Sequence, residues 1–287
     1  MNSIYMDIGN TPKIHVDVHN YEQPQNIYVC ADIHGNPREI RTIINSIDNP
    51  SKNDFIIVAG DAGFEYGVYN MGQAKREANK FLGTWIVMRG NHDNSYWMEH
   101  TNYVDFQEGF IDEISADSQW EIIEYQGNKF LRQLKYPNIW YIYDWGGIYY
   151  LSDYSILFCP GAYSIDKFYR LRNSYPWNAN EQLSPNEKQN LYNLANEYLS
   201  YNLPIDFVIG HTFPKKIEPY LDYLFMEGVN QENVDKETEK WLDKMATVYE
   251  NNPAFKQYFG GHFHDFKALT NQYTILYHDV VNLKDYE

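Results

Sequence analysis

The chain has 287 residues, enough for one large domain or two small ones with a sizeable hydrophobic core. It carries 39 acidic and 23 basic residues, a formal net charge of −16, which argues against a broad, non-specific grip on duplex DNA or on an anionic membrane. Its two cysteines are too few for a disulfide framework, and neither a secretory signal nor a stretch near the ~20 apolar residues of a membrane span is visible, so we expect a cytoplasmic protein.

An alternation of strands and helices begins near residue 27. The apolar runs "NIYVCA", "DFIIVAG" and "TWIVMRG" predict three buried strands, and two predicted helices, over 37–47 and 71–82, lie between them. Pro37 favours a helix start, because its fixed φ suits the first helical position and its missing N–H would be unpaired there anyway. Strands that alternate with helices in this way predict βαβ units and a parallel sheet.

The sequence changes in character between residues 100 and 160, where aromatic segments are separated by glycines, a pattern typical of hairpins. Further on, "SPNE" opens a predicted helix over 184–202 with the Ser, Pro and Glu of a capping box. A strand in "IDFVIG", an amphipathic helix over 235–250 and strands in "QYFGGHFH" and "QYTILYHDV" complete the chain. We therefore expect one α/β domain over residues 1–287, built from two packed β-sheets, with an insertion around 94–135.

Polar side chains follow five of the predicted strands, each where the apolar run ends. In four of the five a glycine comes directly before them, and five of the nine histidines lie in these stretches. Unrelated turns would explain each stretch separately but not the ordered series, which we interpret as one site at the carboxyl ends of the strands. The stretches are "DIH" at 32–34, "GDAG" at 60–63, "GNHD" at 90–93, "GH" at 210–211 and "GHFH" at 261–264.

The residue types in this series are those of a metal centre. Carboxylates and imidazoles without any thiol suit divalent ions such as Mn, Fe, Zn or Ni. In an extended segment residues i and i+2 face the same side, so Asp32 and His34, and likewise His262 and His264, should each aim at one point. Two ions about 3.5–4 Å apart need an anionic group between them, and Asp61 is the natural bridge. We therefore expect two divalent transition-metal ions, with Mn²⁺ as the first choice.

Asn91 suits such a centre because its amide oxygen can coordinate an ion without adding negative charge. With only two ligand carboxylates, Asp32 and Asp61, and one bridging hydroxide, two divalent ions keep a net positive charge. A chain of net charge −16 can thus still present a positive focus to a phosphate group.

Taken together, the five stretches resemble the calcineurin-like metallophosphoesterase superfamily, whose signature is DxH, GDxG, GNH followed by Asp or Glu, GH and GHxH. The resemblance spans about residues 27–265. It implies a four-layer α/β/β/α sandwich of two mixed β-sheets with a di-metal site at the strand ends. It also implies hydrolysis of phosphate esters, in which a metal-bridging hydroxide attacks phosphorus in line.

Carried over position by position, the resemblance assigns seven metal ligands and two catalytic residues. One ion would be held by Asp32, His34, Asp61 and His264, and the other by Asp61, Asn91, His211 and His262. His92 would be the general acid for the leaving group, with Asp93 orienting its ring.

A missing arginine narrows the class of substrate that we expect. Serine/threonine phosphatases of the superfamily carry GDxxDRG, whose Arg contacts phosphate, whereas this chain has "GDAGFEYG". We therefore expect a phosphodiesterase or phosphatase acting on a small phosphate ester such as a nucleotide, or on a nucleic-acid end, without extended nucleic-acid or membrane binding. A phosphoprotein phosphatase is the alternative. A non-enzymatic, metal-stabilised binding module is a third possibility. The presence of all seven ligand positions and of His92 argues against it. The oligomeric state stays open.

Further residues near the motifs have weaker claims to a role. Arg38, Arg89, Lys167 and Arg170 could each bind phosphate, although surface charge is the ordinary explanation, and Tyr163 and Asp166 could line the cleft or simply pack in a loop. The remaining histidines, His15, His19, His100 and His278, lie outside the series, and we expect no role for them.

Overall fold

The computed structural model describes residues 15–17, 26–65, 71–96, 120–175, 177–221 and 234–287, with the backbone alone described in 15–17. Within these ranges the strands are β1 (His15–Asp17), β2 (Ile27–Cys30), β3 (Phe55–Ala59), β4 (Thr84–Met88), β5 (Trp120–Tyr125), β6 (Asn128–Gln133), β7 (Ile139–Tyr141), β8 (Gly147–Leu151), β9 (Tyr154–Cys159), β10 (Phe207–Gly210), β11 (Gln257–Gly260), β12 (Lys267–Thr270), β13 (Tyr273–Ile275) and β14 (Val281–Asn282). The α-helices are α1 (Pro37–Ser46), α2 (Met71–Ala78), α3 (Lys167–Arg172), α4 (Pro185–Ser200) and α5 (Glu237–Tyr249), and 3₁₀ helices cover Lys215–Tyr220 and Leu283–Tyr286.

The strands form two mixed sheets. The larger has eight strands in the order β1-β5-β6-β7-β4-β3-β2-β14, and the smaller has six in the order β12-β13-β11-β10-β9-β8. Parallel pairing joins β2, β3 and β4 in the larger sheet and β9, β10 and β11 in the smaller one. Each sheet therefore brings the carboxyl ends of neighbouring strands to one edge.

Alternate residues of the central strands enter two different hydrophobic clusters. Ile57 of β3 and Ile209 of β10 belong to a cluster made of residues from both sheets, which is the core between the sheets. Val58 and Val208, one residue away, belong to a cluster that also contains the buried faces of the helices. Because successive side chains of a strand point to opposite faces, these two clusters define four layers of helices, sheet, sheet and helices.

The sequence predictions of the elements hold with small changes in length. The predicted helix over 184–202 is α4, and both hydrogen bonds of its capping box are present at Ser184 and Glu187. The hairpins expected between 100 and 160 are present as the antiparallel pairs β5–β6 and β8–β9. The short helix α3 and the strand β12 have no counterpart among the predicted elements.

The expected insertion around 94–135 lies partly outside the described residues, which omit 97–119. Its described part contributes β5 and β6 to the larger sheet. Across the part of the chain that the structure describes, no helix combines the length and apolar character needed to span a bilayer.

Candidate metal centre and active site

The loops after β2, β3, β4, β10 and β11 meet where the two sheets adjoin. Backbone hydrogen bonds connect them directly: His34 N–H donates to the carbonyl of Asp61 at 2.8 Å within the larger sheet, and Gly261 N–H donates to the carbonyl of His211 at 3.0 Å within the smaller one. All seven residues predicted as metal ligands lie on these loops, and two groups of their side-chain atoms, Asp32–His34–His264 and Asp32–Asp61–His211, each fall within 4.8 Å of one another.

The backbone at five of the seven expected ligands is not extended. The expectation that residues i and i+2 of an extended segment bring these side chains together is therefore wrong. Asp32 has a φ of 55°, His34 of 50°, Asp61 of 53°, His262 of 72° and His264 of 51°. A side chain at such φ values costs of order 1–3 kcal/mol, and such strain persists where the surrounding structure demands it, often at functional sites. The side chains of 32 and 34, or of 262 and 264, therefore meet because the chain turns, not because they alternate along a strand.

Two glycines of the series are required by close approach. Gly60 has a φ of 89°, and a Cβ at this position would collide with the ring of His211. At Gly90 a Cβ would overlap Asp61. The missing side chain of Gly60 lets the loops of the two sheets come together, and that of Gly90 lets the loops after β3 and β4 do so.

The first cluster brings together ring nitrogens of two histidines and a carboxylate oxygen. His34 Nε2 lies 3.2 Å from His264 Nε2, and His264 Nε2 lies 3.9 Å from Asp32 Oδ1. That Asp32 oxygen is buried and has no hydrogen-bond partner, whereas Oδ2 accepts from the His262 N–H at 2.8 Å. Partial burial and the neighbouring His34 lower the pKa of His264 to about 4, which favours the neutral ring that can bind a metal ion. A cation among the three side chains would also satisfy the buried Asp32 oxygen.

The second cluster surrounds the buried imidazole of His211. His211 Nδ1 must carry a proton, because it donates to the carbonyl of Ala59 at 2.9 Å. In the neutral ring Nε2 is then an acceptor, yet it lies 2.7 Å from Asn91 Oδ1, another acceptor. His262 Nδ1 approaches the same Asn91 oxygen at 3.0 Å. Although burial lowers the pKa of His211, Asp61 and its hydrogen bond raise it to about 9, so the site favours positive charge at this point.

Asp61 lies between the clusters. Its Oδ2 is 3.9 Å from His34 Nε2 and 3.4 Å from His211 Nε2, while Oδ1 accepts from the His92 N–H at 2.8 Å. Burial would raise the pKa of Asp61, but His211, His92 and His34 hold it well below its usual range. Burial raises the pKa of Asp32 to about 8, with Asp61 adding to the shift and His211 opposing it. A bound divalent ion would favour the ionised form of both carboxylates, so the donor set fits two such ions.

The His92 imidazole stands at the edge of the cluster, with its ring centroid 5.5 Å from that of His34. Burial lowers the pKa of His92, Asp61 raises it, and the positive charge of Arg170 lowers it further. Arg170 and its partner Asp166 therefore lie within electrostatic reach of the ring, which brings two of the weaker sequence candidates to the site.

Asp93 is expected from the sequence to orient the His92 ring, but its carboxylate contacts backbone N–H groups. Its Oδ2 accepts from the N–H groups of Gly90 at 2.9 Å and Ala62 at 3.3 Å, and its Oδ1 accepts from Gly63 at 3.1 Å. Among the described residues no hydrogen bond joins it to the His92 ring. The carboxylate instead fastens the loop after β4 to the loop after β3, so its contacts position the backbone of His92.

Sequence reasoning missed the residues that orient Asn91. Asn91 Nδ2 donates to Ser164 Oγ at 2.8 Å, which leaves Oδ1 facing His211 and His262. Ser164 is in turn hydrogen-bonded to the buried Glu181, which also accepts from Trp177 Nε1 at 2.7 Å. Single polar residues in an irregular segment, more than 70 positions from the motif, carry no local pattern that would identify them.

The other sequence candidates are distributed around the site. Arg38 is exposed on α1, whereas Arg89 is buried and donates to the carbonyl of Asn180 rather than lying at the surface. His278, for which the sequence suggests no role, is close to the centre: its Nε2 donates to the carbonyl of Asp32 at 3.1 Å, and Tyr277 beside it stacks on His264. Only the backbone of His15 is described, and His19 and His100 lie outside the described residues.

The chain resembles known proteins to different extents. No curated protein sequence matches the chain significantly. Among solved structures, it is similar to phosphopantetheinyl hydrolase (PptH) from Mycobacterium tuberculosis, with 12% identity, 89% of this chain and 88% of that chain covered, and a TM-score of 0.38. It is also similar to the protein of unknown function AQ665 from Aquifex aeolicus, with 15% identity, 65% and 77% coverage and a TM-score of 0.29. Residues 25–266 match the calcineurin-like phosphoesterase family, and the chain therefore belongs to this family of di-metal phosphoester hydrolases.

Proposed function

We propose that the protein hydrolyses a small phosphate ester of the nucleotide type, as a phosphodiesterase or a phosphatase, with two Mn²⁺ ions. The observation that supports this most strongly is the contact between His211 Nε2 and Asn91 Oδ1 at 2.7 Å, in which side chains from different sheets hold positive charge between them, since the pKa of His211 is raised to about 9. A bound cation would supply that positive charge in place of the proton, and the buried Asp32 oxygen without a hydrogen-bond partner is a second atom that a cation would satisfy. Family membership supplies the reaction class, and the substrate class is our proposal.

The seven side chains would divide into two sets that share Asp61. His34, His264 and Asp32 surround one place, and Asn91, His211 and His262 surround the other. Two ions bound there would lower the pKa of a water molecule and neutralise phosphoryl oxygens. The side chains themselves would fix the geometry, because their loops are tied together by backbone hydrogen bonds and by Asp93.

His92 would hold the proton that the leaving group needs. Burial lowers the pKa of the ring, which favours the neutral imidazole in the absence of substrate. An anionic phosphate beside it would raise the pKa again and favour the protonated form. The proton would then be available at the imidazole when the ester oxygen leaves.

A phosphoprotein phosphatase is the weaker candidate, because the stretch "GDAGFEYG" lacks the Arg of that group. A reducing cytosol as the working compartment also belongs to the proposal, since Cys30 and Cys159 are buried free thiols.

The test is an assay of the Mn²⁺-loaded protein on a monoester, a diester, cyclic nucleotides, dinucleoside polyphosphates and a phosphopeptide. Turnover of a nucleotide substrate with the highest kcat/KM supports the proposal, and a preference for the phosphopeptide contradicts it.

A further inference from the structure

Residues 164–178 form an arch that leaves the site and returns to it; residue 176 is outside the described ranges. At its start Ser164 accepts the hydrogen bond from Asn91 at 2.8 Å. At its end Asn178 Nδ2 donates to the carbonyl of Asp93 at 3.5 Å, and just beyond it the carbonyl of Asn180 accepts from Arg89. Both ends of the arch are therefore attached to the loop that carries His92, and the arch lies next to that loop.

The arch presents aromatic side chains to solvent. Its helix α3 has no buried residue, and Phe168 is 65% exposed, Tyr169 59% and Tyr175 53%. With Leu171 these are four of the ten exposed large hydrophobic side chains of the described residues, within a span of eight positions. Such a concentration of exposed apolar surface marks a binding site more often than scattered single residues do.

The arch is also basic within an acidic protein. Between residues 164 and 178 there are three basic residues, Lys167, Arg170 and Arg172, and one acid, Asp166, whereas the whole chain has a net charge of −16. Arg170 Nε donates to Asp166 Oδ2 at 2.6 Å, which holds the guanidinium in place near the His92 ring. Lys167 Nζ lies 4.2 Å from the centre of the Trp177 ring. The arch thus combines cations with exposed aromatic rings, and its Arg170 lies within electrostatic reach of the His92 ring.

We propose that the arch binds the leaving-group side of the substrate, and that this group carries an aromatic base. Phe168 or Tyr169, together with Tyr175, would stack on the base, and Arg170 would contact phosphate oxygens. An anion joined to a flat ring is the ligand that fits a cation next to aromatic faces, and stacking tolerates any base because every base has a π-face. This inference rests on the proposed function and narrows it to nucleotides.

The test compares the binding of AMP and of ribose 5-phosphate to the Mn²⁺-loaded protein by calorimetry, because the two differ in the base alone. We expect AMP to bind about tenfold more tightly, within the range of one stacked base. In the double variant Phe168→Ala/Tyr169→Ala, AMP should bind about as weakly as ribose 5-phosphate, whose affinity should not change. Arg170→Gln should weaken both ligands. Tyr201→Ala, which removes a 67% exposed ring at the end of α4, is the matched control and should change neither.

Equal affinities of the unchanged protein for AMP and ribose 5-phosphate would overturn the inference, as would a double variant that keeps the preference for AMP. If either of these results is found but the Mn²⁺-loaded protein still hydrolyses phosphate esters, the proposed function survives and only the role of the arch is refuted. If it binds neither compound and hydrolyses no ester, both are refuted. Thermal unfolding of each variant establishes that a loss of binding does not come from a loss of folding.

Discussion

Asn91 Oδ1 and His211 Nε2 lie 2.7 Å apart, although Asn91 follows a strand of the larger sheet and His211 follows a strand of the smaller one. The orientation of both groups is fixed from behind, because Asn91 Nδ2 donates to Ser164 and His211 Nδ1 donates to Ala59. The contact therefore joins two acceptors unless a proton or a metal ion supplies positive charge. A raised His211 pKa of about 9 meets that need with a proton, and a divalent ion would meet it more strongly.

Replacing Asp61 should disturb the metal centre more than replacing Asp32. Asp61 Oδ2 lies 3.9 Å from His34 and 3.4 Å from His211. Asp32, by contrast, approaches His264 at 3.9 Å and His211 only within 4.8 Å. In Asp61→Asn we expect kcat/KM to fall at least ~10²-fold and both ions to bind more weakly. Elemental analysis of the two purified variants alongside the assay gives the measurement. Equal, mild losses in Asp61→Asn and Asp32→Asn would mean that Asp61 does not bridge.

Asn91 and His92 are neighbours, but replacing each of them should have a different effect on metal binding and activity. Asn91→Ala removes an oxygen that faces two histidines, so the protein should bind the second ion more weakly and regain part of its activity at high Mn²⁺ concentration. His92→Ala should keep both ions and lose about 10²–10⁴-fold in kcat, the usual contribution of a general acid. Metal titrations of both variants decide between these outcomes.

The leaving group provides a sharper test of His92. Nitrophenolate is a weak base and needs little protonation, so the loss in His92→Ala should be much smaller for a nitrophenyl ester than for an alkyl ester. An equal loss for both esters, or the loss of an ion, would show that the imidazole does not act as the acid.

Ser164 should act on metal binding through Asn91. Without its hydroxyl the Asn91 amide is free to rotate, so Ser164→Ala should weaken metal binding at the His211–His262 side by about tenfold, measured by calorimetry. Ser184→Ala is a matched control, because it removes the N-cap of α4 and should cost about 1 kcal/mol of stability without affecting metal affinity. Unchanged metal affinity in Ser164→Ala would exclude the positioning role.

The sequence predicts the ligand loops well because each polar stretch follows a run of buried residues, such as Phe55–Ala59 before Asp61. It does not predict how those side chains converge, since the positive φ values at Asp32 and His264 depend on contacts with distant loops. Glu181 and His278 escape notice for the same reason: their places beside Ser164 and Asp32 arise from tertiary folding and leave no periodic signal. The local sequence thus predicts the ligand loops, but it does not predict the distant residues that support them.

The pair Arg41–Glu77 links α1 to α2 and should make stability depend on pH. A hydrogen bond from Arg41, opposed by burial and reinforced by Lys80, lowers the pKa of Glu77 from 4.5 to about 2. A depressed pKa stabilises the folded state above the unfolded-state value, and this contribution is lost as the pH falls through the folded-state value.

Glu77→Gln should therefore reduce the free energy of unfolding by about 1 kcal/mol at neutral pH, a modest amount because Arg41 and Lys80 are largely exposed. Denaturant titrations should show this difference shrinking between about pH 4.5 and 2. A difference that stays constant across that range would mean that the charge of Glu77 contributes nothing.

The most direct test of the di-metal reading is activity before and after removal of metal. The purified protein is treated with a chelator, dialysed, and assayed on a nitrophenyl phosphate diester and monoester with increasing Mn²⁺, alongside Asp61→Asn. We expect the stripped protein to be inactive, activity to return as two ions bind per chain, and Asp61→Asn to stay at least ~10²-fold lower at every metal concentration. Full hydrolysis by the stripped protein, or recovery of Asp61→Asn to the level of the unchanged chain, would contradict the account.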